Sequence, residues 1–324
     1  MNVRMGCDSM ASDFSSALVT GGAGFIGSHI VGRLLQDGFE VTVLDDLSSG
    51  GLESLAAHQK KSGFRFLRGD IRDKAVTKKA LRDVEVVFNE AALVGGPQSV
   101  QKPLLTNDVN VNGTLTLLAG ALKSDVKRFV FASSAAVYGD QKKLPVQESV
   151  TPHPSSPYAA SKLAAEFYLE ACHRAYGLAT VSLRYFNVYG PGQKYGPYAA
   201  VITAFVNLLA EGKSPTIYGT GDQTRDFIHV EDAVEANMLA MEKNCAGDVF
   251  NVATGSQLTI NELFRILRDL TGRSGTEPVY AKARASDIHD SCGDCRKAKE
   301  ILGFEPKVPL KTGLTELVEA RKGS

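Results

Sequence analysis

The sequence has no tryptophan, no excess of charge of either sign and no long apolar run. Its 36 basic and 36 acidic side chains cancel, so no long-range field attracts nucleic acid or an anionic membrane. No window holds 18 consecutive apolar residues, which excludes a transmembrane helix. We therefore predict a small-molecule ligand, with no nucleic-acid and no membrane partner.

Cysteine is scarce and scattered. The five cysteines are odd in number and, apart from Cys292 and Cys295, far apart, a pattern typical of a reducing compartment, so we predict a cytoplasmic protein. Cys292 and Cys295 have the spacing of a redox or zinc pair, but a structural zinc site needs two further ligands close by. The sequence shows none, and no metal site is predicted. Residues 1–15 lack the apolar segment of a signal peptide, and we expect a flexible tail there.

Short apolar runs alternate with amphipathic stretches from Ser16 onward. This alternation predicts βαβ units and an α/β fold, a Rossmann-type doubly wound parallel sheet. The later part of the chain is irregular and rich in Gly and Pro, and we expect a smaller, irregular C-terminal substrate lobe there. The predicted strands are 17–20, 41–44, 64–67, 84–88, 128–131 and 179–184, and the predicted helices are 25–36, 74–81, 109–122, 156–176 and 259–271.

A glycine-rich segment, Thr20–Gly27, directly follows the first predicted strand and opens the first helix. That position is typical of a dinucleotide-binding turn. Gly21 makes the tight turn, Gly24 lets the backbone approach a pyrophosphate at the helix N-terminus, and Gly27 allows close packing of helix on strand. The alternative is a glycine turn with no ligand.

Acidic residues end the second and third predicted strands. Asp45 lies where a carboxylate accepts hydrogen bonds from the adenosine ribose and repels a 2′-phosphate, which favours NAD over NADP. Asp46 is an alternative acceptor. Asp70 and Ile71 lie where an adenine edge would bind, although Asp70 could equally be a helix N-cap.

Tyr158 and Lys162 are four residues apart, so on a helix they share one face. We expect the ammonium to lower the pKa of the phenol, because a nearby cation stabilises tyrosinate. The fifth predicted strand ends at Ser133 and Ser134, which could hold a substrate oxygen. Together with the nucleotide turn, these residues predict a hydride-transfer site.

The sequence resembles the extended short-chain dehydrogenase/reductase family, in its sugar-nucleotide branch, and within it is most similar to UDP-glucose 4-epimerases. The resemblance covers about residues 16–317. Its motifs are Thr20–Gly27, Val43–Gly50, Asn89–Ala92, Asn110–Thr114, Ser133–Gly139, Tyr158–Lys162, Arg184–Pro191 and Arg225–Asp232.

The resemblance implies a role for each matching residue. Tyr158 is the expected acid/base, Lys162 holds the nicotinamide ribose and Ser134 bonds the reacting sugar oxygen, so the expected catalytic residues are Ser134, Tyr158 and Lys162. The cofactor is expected to be NAD, bound by Gly21, Gly24, Phe25, Ile26, Gly27, Asp45, Asp46, Ser49, Gly50, Asp70, Ile71, Ala91, Ala92, Asn110, Tyr158, Lys162 and Tyr185. The substrate is expected to be a UDP-sugar, bound by Ser133, Ser134, Tyr158, Phe186, Asn187, Tyr218, Arg225, Arg284, Asp287 and Ser291.

The resemblance also implies an organisation. Residues 16–184 would form the NAD-binding domain, with 227–253 folding back onto it, and 185–226 and 254–324 would form the substrate lobe. A homodimer through the helices around 109–122 and 158–176 is expected by analogy.

Two alanines narrow the expected reaction to 4-epimerisation. Related dehydratases and decarboxylases carry acids where this chain has Ala135 and Ala136, and a methyl group moves no proton. Ser291 stands where hexose-specific epimerases carry Tyr, so N-acetylated sugars are expected as well, unless Ser291 only caps a helix starting near Asp294. The alternatives are another sugar-nucleotide epimerase such as a UDP-glucuronate 4-epimerase, a dehydrogenase that releases NADH, and a non-catalytic NAD-sensing protein.

Overall fold

The computed structural model describes residues 14–194, 200–283 and 288–322. Seven strands form one parallel sheet and the others form two-stranded sheets beside it. The strands are β1 (Ser16–Thr20), β2 (Glu40–Asp45), β3 (Phe64–Arg68), β4 (Val86–Asn89), β5 (Arg128–Ser134), β6 (Ala179–Tyr185), β7 (Asn187–Tyr189), β8 (Thr216–Tyr218), β9 (Thr224–Arg225), β10 (Phe227–His229), β11 (Val249–Val252), β12 (Leu258–Thr259) and β13 (Val279–Ala281).

The strand order in the main sheet is β11-β6-β5-β4-β1-β2-β3, and every neighbouring pair is parallel. The order reverses between β1 and β4, so a crevice opens beyond their carboxyl ends, where doubly wound sheets bind ligands. The predicted Rossmann-type α/β fold is confirmed.

Helices cover both faces of this sheet. The helices of the described chain are α1 (Phe25–Gln36), α2 (Lys74–Ala80), α3 (Gly96–Gln101), α4 (Pro103–Asn107), α5 (Thr114–Ala121), α6 (Pro157–Tyr176), α7 (Val201–Ala210), α8 (Val230–Glu242), α9 (Ile260–Leu270) and α10 (Leu310–Lys322), and not all of them lie on this sheet. One apolar core lies under α1 and α8, and a second lies under α2, α5 and α6. Except for the edge strand β3, the strands between them are largely buried on both faces, which explains their continuous apolar runs.

Local signals set the helix ends that matter for the site. Ser156 accepts a hydrogen bond from Ala159 N, Pro157 is the first residue of α6, and Gly177 ends it in the left-handed conformation. Thr259 and Glu262 form the predicted capping box of α9. These caps fix α6 along 20 residues, so the spacing of Tyr158 and Lys162 becomes a fixed geometry.

A third apolar core, formed mainly by α7, α9 and α10, lies beside the main sheet. The chain crosses between the two parts several times: β10 pairs with β7, α8 packs on α1, and β11 adds the last strand beside β6. The domain boundaries given above stay a prediction. In the described part of the chain no helix combines the length and apolar character needed to span a membrane.

Two residues of the expected flexible tail belong to the fold. Phe14 packs against the first core, and Ser15 donates from its backbone N–H to Glu85 Oε2 at 2.8 Å. The prediction of a tail over 1–15 is therefore wrong for these two residues, because an apolar ring and a hydrogen bond hold them. Residues 1–13 lie outside the described part.

Candidate active site

The glycine turn has no room for side chains. A Cβ on Gly21 would lie 2.7 Å from Ala91 N, and one on Gly27 would lie 2.3 Å from Gly21 O. Gly21 also has a φ of +67°, which favours glycine. Gly24 is the N-cap residue of α1, and it has no side chain that could accept a hydrogen bond. The N–H groups of Phe25 and Ile26 at the start of α1 therefore receive no side-chain cap from Gly24. This arrangement fits a pyrophosphate.

Asp45 joins the end of β2 to this turn. Its carboxylate accepts hydrogen bonds from Ala23 N at 2.9 Å and Leu47 N at 2.8 Å, and burial raises its pKa. Asp46 is exposed and accepts from Ser48 N. The segment Ser49–Gly50 lies against the turn, since a Cβ on Gly50 would be 2.4 Å from Ala23 O. Backbone N–H groups therefore already fix the Asp45 carboxylate in the position from which it would bind a ribose.

The Asp70 side chain forms an ion pair that the sequence analysis did not predict. It pairs with Arg72, which also reaches Asp108, and the Arg72 guanidinium lowers the pKa of Asp70. The alternative that Asp70 caps a helix is wrong, because Asp73 accepts the N–H groups that open α2. Ile71 is buried beneath the helical turn at Gly113. Whether this corner binds adenine stays a prediction.

Tyr158, Lys162 and Ser134 meet at the carboxyl end of β5. The Ser134 hydroxyl lies within reach of the Tyr158 phenol and opposes the rise in its pKa, and its oxygen accepts a hydrogen bond from Ala136 N at 3.2 Å. Lys162 is buried, donates to Ala132 O at 2.6 Å and lies 5.9 Å from the centre of the Tyr158 ring. An ammonium has three donors, and this carbonyl takes one. The structure therefore brings the three predicted catalytic residues together.

The expected low pKa of Tyr158 is wrong in this structure. Burial raises it to about 12, the bond from Ser134 opposes that shift, and the charge of Glu90 adds to it. The Lys162 ammonium donates to Ala132 O and is not among the groups that lower the pKa of Tyr158. Burial lowers the pKa of Lys162, against the charges of Glu90 and Glu166. A cation bound beside the phenol is what would stabilise tyrosinate here.

Asn110 lies in a π-helical turn, Asp108–Gly113, between α4 and α5. It accepts from Leu93 N at 2.8 Å and donates to Leu93 O and to Ser161 Oγ. Ser161 is on α6 beside Lys162. The predicted supporting role of Asn110 thus has a geometric basis: it ties the loop after β4, which carries Ala91 and Ala92, to α6.

Ser133 is not brought to this group. Its hydroxyl donates to the buried carboxylate of Glu166, which forms an ion pair with Arg184 at 2.7 Å. Successive strand residues face opposite sides of a sheet, so Ser133 and Ser134 cannot both face the substrate. The prediction that the Ser133 side chain contacts substrate is wrong for this reason.

The sequence analysis missed Glu90, a partly buried carboxylate directly after β4. Tyr185, predicted to contact the cofactor, donates its hydroxyl to Glu90 at 2.9 Å and accepts from Asn237 Nδ2 at 2.7 Å. An acidic side chain at the carboxyl end of a central parallel strand was the available signal.

The substrate side is built from short elements. Phe186 is buried against Tyr138, and Asn187 donates to Asp226 O. Tyr218 is exposed at the end of β8, and Arg225 donates to the carbonyls of Thr224 and His289. The predicted ligands Arg284 and Asp287 lie outside the described residues.

Asp226 is a second residue that the sequence analysis missed. Fully buried beside Arg225, it accepts from Thr254 N, Gly255 N and Gly293 N, and burial raises its pKa. A Cβ on Gly293 would touch Phe186 at 2.8 Å. Asp226 thereby holds the loops at Thr254 and Gly293 against its own segment, next to Phe186.

Ser291 lies within the loop that these contacts hold. On one side of it Asp290 accepts from Thr224, and on the other Cys292 O accepts from Val146 N at 2.8 Å. The alternative that Ser291 caps a helix is wrong, because Asp294 accepts from Arg296 N. Its position on the sugar path stays a prediction.

The cysteine pair has no redox or metal signature. Cys292 and Cys295 are free thiols, and burial raises their pKa values to about 11 and about 12. A protonated thiol is a poor nucleophile and a poor metal ligand. In the part of the chain that the structure describes, no three His, Cys, Asp or Glu side chains are grouped as metal ligands would be.

Comparison with known proteins agrees with this geometry. The model of the NAD dependent epimerase/dehydratase family matches residues 17–253. A UDP-glucose 4-epimerase of Mycolicibacterium smegmatis is 38% identical over 304 residues, which are 93% of this chain and 97% of that protein.

Two solved structures superimpose closely. The UDP-glucose 4-epimerase of Thermotoga maritima with UDP-glucose has a TM-score of 0.91 at 42% identity, covering 95% of this chain and 99% of that one. The UDP-N-acetylglucosamine 4-epimerase of Methanobrevibacter ruminantium in complex with UDP-N-acetylmuramic acid has a TM-score of 0.91 at 40% identity, covering 96% and 99%.

Proposed function

Because this chain belongs to the NAD-dependent epimerase/dehydratase family, whose cofactor is NAD, we propose that it is a UDP-hexose 4-epimerase. It interconverts UDP-glucose and UDP-galactose, and also UDP-N-acetylglucosamine and UDP-N-acetylgalactosamine. The observation that carries this proposal is the meeting of Ser134, Tyr158 and Lys162 beside Ala135 and Ala136, which bear no proton-carrying group. An acid/base at Tyr158 with none at the two alanine positions favours oxidation and re-reduction at a single carbon.

The residues divide the work. Tyr158 takes the proton of the sugar 4-hydroxyl, Ser134 holds the same oxygen, and Lys162 uses its remaining donors on the nicotinamide ribose. Bound NAD supplies the hydride acceptor and, on the return, the hydride donor. After the 4-keto sugar turns about its diphosphate link, Tyr158 returns the proton to the C4 oxygen. The glycine turn and Asp45 hold the cofactor throughout.

The substrate lobe grips the nucleotide and leaves the hexose free to turn. Tyr218 and Arg225, with Arg284 and Asp287, are the proposed UDP ligands, since a diphosphate needs cationic donors. Phe186 and Asn187 lie between this group and the nicotinamide side. A UDP-glucuronate 4-epimerase is the second candidate. It would need a cation for the carboxylate at C6.

A homodimer through the helices around 109–122 and α6 is part of the proposal. Apolar side chains are exposed on both, since Leu122 is 36% exposed and Phe167 is 59% exposed. Exposed apolar side chains are typical of a protein interface. Sedimentation of the purified protein measures the assembly state. A cytoplasmic location remains a prediction.

The decisive experiment offers the purified protein UDP-glucose, UDP-N-acetylglucosamine and UDP-glucuronate separately. NMR then reads the configuration at C4 of each product. We expect inversion with the first two and no net release of NADH. Inversion of UDP-glucuronate alone would support the second candidate, accumulation of free NADH would identify a dehydrogenase, and no reaction would favour a non-catalytic NAD-binding protein.

A further inference from the structure

Glu90 is an ionisable side chain at the centre of the site that the proposed reaction does not use. It follows β4 directly, and its backbone N–H donates to Thr20 O, which places it at the entrance of the glycine turn. A Cβ on Gly21 would lie 2.9 Å from its carbonyl carbon. Glu90 therefore occupies the floor of the crevice where the sheet order reverses.

A hydrogen-bonded chain fixes this carboxylate. Asn237 on α8 donates to the Tyr185 hydroxyl at 2.7 Å, and that hydroxyl donates to Glu90 Oε1 at 2.9 Å. Asn237 is fully buried and Tyr185 nearly so. Within the described residues only Oε1 of Glu90 receives a hydrogen bond. The hydrogen-bonded chain therefore fixes the position of the carboxylate without neutralising its charge.

The ionisable neighbours of Glu90 come from two elements. Asn89 pairs with Phe131 on β5, so Glu90 comes next to Ala132, whose carbonyl accepts from Lys162 on α6. The Lys162 ammonium in turn lies 5.9 Å from the centre of the Tyr158 ring, and from β6 the neighbour is Tyr185, which donates to Glu90. The negative charge of Glu166 also acts on Lys162, but Glu166 forms an ion pair with Arg184. β1 and α8 contribute Thr20 and Asn237, which do not titrate. Glu90 is thus the carboxylate that acts on Tyr158 and Lys162 together.

We propose that Glu90 is a positioning residue that governs when Tyr158 holds a proton and keeps Lys162 charged. The inference deepens the proposed function, since it concerns the same acid/base. Its sign follows from electrostatics. A carboxylate disfavours a second anion nearby and therefore favours the phenol form of Tyr158, while it favours the ammonium form of Lys162. Burial raises the pKa of Glu90 itself, so its charge also depends on pH near neutrality.

The test is the substitution Glu90→Gln, which keeps an acceptor for the Tyr185 hydroxyl and removes the charge. In the NAD-loaded protein, the ultraviolet absorption of tyrosinate is titrated against pH, and subtraction of the same titration in a Tyr158→Phe background isolates Tyr158. We expect the midpoint to fall by about one pH unit. Both limbs of the pH profile of kcat/KM should move to lower pH, because Tyr158 and Lys162 each lose a proton more easily.

Two variants serve as controls. Glu85→Gln removes one negative charge at the other end of β4, about 16 Å away at roughly 3.3 Å per residue, and should leave the midpoint unchanged. Glu90→Asp keeps the charge and should restore most of the parent behaviour. If Gln is not accommodated, Glu90→Leu takes its place, since any neutral side chain must lower the midpoint.

An unchanged Tyr158 midpoint in a folded neutral variant overturns the inference. An equal shift in Glu85→Gln does so too, because the effect would then be general charge. The titration needs no substrate. It therefore remains decisive if the chain turns over none of the UDP-sugars, an outcome that would count against the proposed function alone.

Discussion

The nucleotide half and the substrate lobe present their binding groups in different ways. In the nucleotide half the proposed groups are backbone atoms and one carboxylate, and the turn that carries them has no space even for a methyl group at Gly27. In the lobe the proposed groups are side chains on short strands, such as Tyr218 at 37% exposure. Backbone recognition fixes one cofactor, whereas exposed side chains can change without disturbing the fold. Substitutions in the first half should affect every substrate, and those in the lobe should discriminate.

The strongest challenge to this comparison is Tyr158→Phe, which lies at the junction of the two halves. Loss of the phenol hydroxyl should lower the turnover of every substrate by about 10²–10⁴ while NAD binding persists, since the ring remains. Steady-state kinetics and cofactor retention measure the two effects. Tyr168→Phe, at an exposed position on the same helix, is the control. Turnover near that of the parent would remove Tyr158 from its role.

Gly27→Ala should lower both the NAD affinity and the stability of the nucleotide half. The added Cβ would lie 2.3 Å from Gly21 O, so the turn must move. We expect NAD affinity to fall about 100-fold and stability by about 1–3 kcal/mol. Isothermal titration and thermal melting measure these changes. Gly275→Ala, where a Cβ meets nothing within 4 Å, should be silent. Tight NAD binding by Gly27→Ala would show that the turn tolerates bulk.

Ser291→Tyr should affect the lobe selectively. If Ser291 borders the path of the turning sugar, a ring there overlaps an N-acetyl group at C2 and spares a hydroxyl. Activity on the N-acetylated pair should fall about 10- to 100-fold, with the plain hexoses unchanged. Competing-substrate kinetics give the ratio, and Ser256→Tyr, in an exposed loop, is the control. Loss of both activities, or of neither, would exclude Ser291 as the gate.

The smallest expected effect concerns cofactor choice. Asp45→Ala combined with Asp46→Arg should weaken NAD and admit NADP, changing the NAD/NADP preference about tenfold, because a cation replaces the ribose acceptor. Fluorescence titration with both cofactors measures it. Asp45→Ala alone separates the loss of the hydrogen bond to Ala23 N from the gain of an arginine. Equal use of NADP by the unchanged protein would refute the argument.

The nucleotide half could be predicted well from sequence because its signals are local. The glycine turn and the N-cap at Ser156 each act within a few residues and are present as expected, and so is the capping box at Thr259 in the lobe. Strand alternation was available as well. Applied to Ser133 and Ser134, it would have placed their side chains on opposite faces and prevented the one wrong substrate contact.

The rest depended on contacts distant in sequence. The position of the Glu90 carboxylate depends on Tyr185, which lies 95 residues later, and that of Asp226 depends on loops at Thr254 and Gly293. The direction of the Tyr158 pKa turned on how deeply the fold buries the phenol, and a helical spacing of four does not fix that. No local pattern encodes these partners, so only the fold reveals them.

The position of β11 has a consequence for biosynthesis. Val249–Val252 pairs with β6, which otherwise has only β5 as a neighbour, so β6 is an open edge until the ribosome has made about three quarters of the chain. An unpaired apolar strand is a site for pairing with other chains. The nascent protein therefore carries this aggregation risk from the completion of β6 at Tyr185 until β11 pairs with it, and truncated products that end in this interval should be clients of chaperones and proteases.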